Sequence, residues 1–139
     1  MDNLVGSRSR RAWRHVDWTL RIALISVFLY HGIPKWLDLP ATAQALKLPL
    51  FITVLVAMAE VGGALLLVFG GLGHSRLFDW ATRFAGFSFM AVMTGAIVLV
   101  HWGQWASAPT PQHPAGGIEF PLILWLIGLF FLLRGNGGE

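Results

Sequence analysis

Cysteine is absent from this sequence. With no thiolate available, disulfide exchange, thiol nucleophiles, iron–sulfur clusters and thiolate metal centres are excluded from the chain itself. Charge is scarce as well, with 12% of the 139 residues charged against 55% hydrophobic. So little polar surface cannot coat a soluble globule of this size, and the composition is that of a membrane protein. The net charge of +3 does not point to nucleic acid, because five of the ten Lys and Arg fall within the first 21 residues and no nucleic-acid-binding module accompanies them. Residues 1–16, with Arg8, Arg10, Arg11 and Arg14, read instead as a basic cytoplasmic arm, a topology signal able to touch anionic lipid.

Apolar segments make up most of the rest, at residues 17–37, 49–72, 78–102 and 117–133. Each is near the ~20 residues that a helical crossing needs. The expected fold is therefore all-α, a four-helix transmembrane bundle formed by residues 17–139 as one membrane domain. The first segment lacks a small-x-small cleavage pattern and is expected to be retained. Pro40 followed by residues 41–47 reads as a short interfacial helix with Pro in its first turn. Residues 71–76 form a tight turn, making the second and third segments antiparallel neighbours. Residues 103–116, with Pro109, Pro111 and Pro114 and no Lys or Arg, read as a structured or capping loop. Eight of the ten basic residues fall at one end of these segments and two, Lys35 and Lys47, at the other. Both termini are expected to be cytoplasmic.

Ionisable groups inside such segments cost roughly 2.5–3.5 kcal/mol each at the bilayer centre, so they require partners or a task. His31 and Lys35 lie one helical turn apart on the first segment, and Glu60 is the single acid on the second. From the helical rise, His31 lies ~15 Å beyond Arg21 and Glu60 a similar ~15 Å past Leu50, so the two meet near mid-membrane. Arg21 is expected to snorkel back to the interface. His101 and Glu119 should lie at the outer boundary. The polar groups would then form a chain through the outer half of the bundle, with nothing comparable on the inner half. Thr94 and His101, seven apart, should share a face, and Pro34 leaves the carbonyl of Tyr30 without its helical donor. A metal site is not expected, because the depth estimate separates His31 from His101. The same cluster can instead serve to lock helix packing, and His101 beside Trp102 and Trp105 also reads as an interfacial residue.

The order Arg21, Phe28, His31-Gly32, Lys35; Glu60-Val61-Gly62-Gly63, Leu66, Gly70; Arg76; Val100-His101; and Gly116-Gly117-Ile118-Glu119-Phe120 resembles the DoxX family of small four-helix membrane proteins. The resemblance implies a multi-pass protein of a bacterial or archaeal cytoplasmic (inner) membrane. It also implies association with redox complexes, since some members are subunits of a thiosulfate:quinone oxidoreductase or accompany a quinol oxidase.

On these grounds the expected function is a membrane subunit of a redox complex that binds quinone or quinol. His31 and Lys35 would act as donors to the quinone oxygen, and Glu60 would hold the accompanying proton. Thr94, His101 and Glu119 would complete the binding site or relay protons outward. Leu24, Val27, Phe28 and Met90 are the expected walls. Electrons would come from a partner subunit. The alternatives are a non-catalytic assembly subunit of a larger membrane complex and a proton-coupled exporter of a small solute.

Overall fold

The computed structural model describes residues 2–137, with side chains from Val16 onward. The described residues are all helical or loop, in the order α1 (Asp2–Leu37), α2 (Leu39–Leu46), α3 (Leu50–Gly71), α4 (Arg76–Ala96), a π-helical turn (Ile97–His101) and α5 (Glu119–Arg134). Three of these stretches, Val16–Leu37, Leu50–Gly71 and Arg76–His101, are long and apolar enough to cross a membrane. The fourth expected segment is shorter: α5 has 16 residues, or ~24 Å of helix. The basic arm is continuous with α1.

Local chemistry explains the breaks. Pro34 sits inside the last turn of α1, which ends at Leu37. Asp38 then caps α2 by accepting a hydrogen bond from Ala41 N at 3.0 Å, with Pro40 in the first turn as expected. Lys47 closes α2 in the left-handed conformation, and its N–H reaches the carbonyls of Ala43 and Gln44. The 71–76 turn is tight, and it sets α3 antiparallel to α4.

α3 and α4 form the central pair, with α1 packed on α3 and α5 on α4. Small residues set these crossings, as they do where lipid removes the hydrophobic drive for helix association. A β-carbon at Gly32 would strike Glu60 and Val61, one at Gly63 would strike Phe89, and one at Gly86 would strike the backbone of Gly128 and Leu132. The buried stripe of α3 runs Thr53, Ala57, Glu60, Gly63, Ala64, Leu67, Gly70. Through the gap at Gly63, Phe28 of α1 stacks on Phe89 of α4 with ring centroids 4.0 Å apart. Leu24 and Phe28 are therefore core residues, not walls of an open site. α1 and α5 approach each other chiefly through side chains, Arg21 over Phe131 and Arg134 with Asp17. The four long helices thus pack in the order α1, α3, α4, α5, with side-chain contacts joining α5 back to α1. The outward surface carries Leu55, Leu65, Leu77, Phe84 and Leu99, each more than half exposed. A face so apolar suits lipid.

Two polar centres at opposite ends

Each end of the helix bundle carries a polar centre. The distal end holds Leu37, Leu50, His101 and Glu119; the proximal end holds Asp17, Gly71, Arg76 and Arg134.

At the distal end Lys35 and Glu60 form an ion pair. Lys35 Nζ donates to Glu60 Oε2 at 2.8 Å, to Oε1 at 3.0 Å and to the carbonyl of His31 at 2.8 Å. All three ammonium donors are used. Glu60 is 3% exposed, and Gly32 of α1 lies directly against its β-carbon, so the close crossing itself delivers the carboxylate to Lys35. The carbonyl serving Lys35 is that of His31, not that of Tyr30 beside Pro34. The His31 ring faces outward, edge-on to Tyr30 at 5.2 Å. It remains within electrostatic reach of both Lys35 and His101.

The other expected members of this cluster are engaged with other partners. Thr94 is exposed, donates to the Met90 carbonyl and accepts from Trp125 Nε1 at 3.1 Å, joining α4 to α5. The shared face of Thr94 and His101 is lost in the π-helical turn, which takes in one residue more than an α turn and rotates the chain beyond it. His101 Nδ1 instead meets the carbonyl of Gly116 at 3.0 Å. Glu119 Oε2 accepts from Ser107 N and Oγ, both at 3.1 Å. The N–H groups of Gly117, Ile118 and Glu119 bind the carbonyls of Ala106, Gln104 and Trp105. Glu119 is thus a loop fastener at the entrance of α5, and the capping role expected of residues 103–116 has a physical basis. Among the described residues no group of three or more His, Asp or Glu is placed to hold a metal.

The proximal end overturns the expectation that the other half is bare. Arg21 does not snorkel: it is 1% exposed. Its Nε donates to Asp17 at 2.6 Å, Nη1 to the Leu67 carbonyl at 2.7 Å and to Thr82 Oγ1 at 3.2 Å, and Nη2 to Asn136 Oδ1 at 2.9 Å. The guanidinium also lies over Trp18 and Phe131. Asn136, just past α5, accepts from Thr82 as well, donates through Nδ2 to the carbonyls of Gly70 and Gly73, and gives its backbone N–H to Asp79. Arg134 holds the second oxygen of Asp17 at 2.9 Å. Arg83 pairs with Asp79 at 2.7 Å and caps the Leu132, Leu133 and Arg134 carbonyls that end α5.

One sequence signal announces this centre. Asp17–Arg21 and Asp79–Arg83 are both acid-before-base pairs at i,i+4 spacing, each where a helix enters the apolar layer. Beside this network, and not at the Lys35–Glu60 pair, lies an open cavity of about 690 Å³.

Neither a curated protein nor a solved structure matches the chain. A sequence model of the DoxX family matches residues 16–102, which takes in Arg21, His31, Lys35, Glu60, Arg76 and His101 and stops before α5. With that span covering more than half of its length, the chain belongs to the DoxX family.

Proposed function

We propose that the chain crosses a bacterial or archaeal cytoplasmic membrane four times, with the proximal end cytoplasmic, and serves as a membrane subunit of a redox complex that takes a quinone or quinol at its distal end. The eight-to-two distribution of basic residues supports the orientation. The observation that carries the functional reading is the Lys35–Glu60 pair, a carboxylate 3% exposed and gripped through both oxygens, with the His31 imidazole facing lipid beside it.

A quinone carbonyl accepts hydrogen bonds and gains negative charge on reduction. The His31 N–H supplies a donor reachable from lipid, and the Lys35 ammonium supplies positive charge behind it. Because all three Lys35 donors are engaged, direct contact of Lys35 with the ligand exchanges one of those bonds. Glu60, released in that exchange, is the group able to hold a proton. Two electrons reach the quinone from a partner subunit, and two protons complete the quinol.

The test uses the partner complex purified with this chain. Lys35→Met and Glu60→Gln should each lower quinone-dependent turnover about tenfold or more, the scale of a lost positioned donor or proton carrier, while the complex stays assembled.

A second reading has its own observation: the Lys35 donors are satisfied within the chain, and the pair sits at the Gly32 crossing, so it locks α1 to α3. An assembly subunit built this way loses partner association on Lys35→Met, with normal turnover per assembled complex. Unchanged turnover and quinone affinity in assembled complexes of both variants would end the quinone reading.

A further inference from the structure

The proximal cavity is lined by His74, Arg76, Asp79, Trp80, Arg83 and Arg134, among others. Among the described residues its one lining carboxylate, Asp79, is already held by Arg83 Nε and by Asn136 N. Arg83 and Arg134 are fixed at the cavity wall by the polar network, Arg83 through its carbonyl caps and Arg134 through Asp17. Arg76 and His74, by contrast, are exposed and make no ion pair or hydrogen bond among the described residues. Among the described residues three arginines and one carboxylate line the cavity, so that lining is positive.

Position decides what this charge meets. The cavity opens at the start of α4, where the apolar helix face begins: the lining Trp80 is 68% exposed, and Leu77, next to Arg76 in the chain, is 65% exposed. An exposed indole in the lining, an exposed leucine next to Arg76 and guanidinium groups in the same cavity match a phospholipid at the headgroup level, with its phosphate among the arginines and its acyl chains along α4.

We propose that this cavity binds the phosphate of an anionic phospholipid, with Arg76 and His74 as the groups that turn to it and Arg83 and Arg134 as the fixed positive wall. The site is independent of the quinone reading, being at the opposite end of the bundle. A free phosphate offers the same oxygens to the same cations, so the experiment separates the two sources by the acyl chains.

The full chain is placed in nanodiscs containing phosphatidylcholine with a minor fraction of either phosphatidylglycerol or further phosphatidylcholine, and lipid retention on the protein is read by native mass spectrometry. Phosphatidylglycerol should be retained in preference to phosphatidylcholine. Arg76→Gln should reduce that preference about fivefold, the scale of one basic contact at a membrane surface, and Arg76→Gln with His74→Asn further. Both residues are exposed and outside the buried network, so the variants fold, which an unchanged melting temperature verifies. Leu77→Asn, removing apolar surface without charge, should weaken retention of the lipid but not of inorganic phosphate. Equal retention of the two lipids, or a preference unaltered by the Arg76 variant, overturns the site. Displacement of phosphatidylglycerol by millimolar inorganic phosphate overturns the lipid assignment.

Discussion

Replacing Arg21 by Met tests whether the proximal network holds the helices together. Hydrogen bonds to charged groups contribute about 1.5–3 kcal/mol each, so four of them summed naively would give about 6–12 kcal/mol. The structure argues for much less. All four acceptors lose the charged donor, but Asp17 keeps Arg134 and Thr82 still donates to Asn136, so only the Leu67 carbonyl and Asp17 Oδ2 are left without a side-chain donor. Removing one partner of a buried pair costs about 3–5 kcal/mol; with the acid still paired, the lower end, about 3 kcal/mol, is expected. A snorkelling arginine at the interface would contribute about 0–1 kcal/mol. The assay is equilibrium unfolding in mixed micelles followed by tryptophan fluorescence, with Arg21→Lys alongside. The lysine variant should fall between, because a point charge with three donors cannot span four acceptors spread over α1, α3, α4 and the segment after α5. An Arg21→Met protein within about 1 kcal/mol of the parent, the range of an exposed pair, would refute this account of the proximal end.

Asn136→Ala should cost about 2 kcal/mol, from four side-chain hydrogen bonds at about 0.5–1.5 kcal/mol each less partial rescue by water; a double-mutant cycle with Thr82→Val in the same unfolding assay should show coupling above about 0.5 kcal/mol. Gly86→Ala should destabilise by about 3 kcal/mol or prevent folding, since its methyl meets the backbone of Gly128 and Leu132. Gly95→Ala, with nothing within 4 Å, should be neutral or stabilise by up to about 1 kcal/mol, read as a shift in melting temperature. A reporter fused after Glu139 should register the cytoplasm; a periplasmic signal would reverse the proposed orientation.

The helical character, the short α2 with its first-turn proline, the tight 71–76 turn and the meeting of Lys35 with Glu60 are all legible in the sequence, because each depends on residue spacing along a single helix or on depth in the bilayer. Arg21 is misread for the same reason. Depth arithmetic places it near an interface, where snorkelling is the default, and it carries no information on what α3, α4 and the residues after α5 present at that level. Thr82 and Asn136 have no signature of their own until Gly70 lets α3 and α4 close on them. The separation of Thr94 from His101 depends on one extra residue in a π turn, which no propensity scale announces. Glu119 is bound by a loop whose shape comes from three backbone hydrogen bonds, again invisible to side-chain pattern.

The polar clasp around Arg21 can close only after Asn136 has been synthesised. Asp17 and Arg21 leave the ribosome together, but Asn136 comes 115 residues after Arg21. Until Asn136 is made, the Arg21 guanidinium lacks one of its acceptors. Once Asn136 docks, α1, α3, α4 and the segment after α5 are fastened together by its hydrogen bonds.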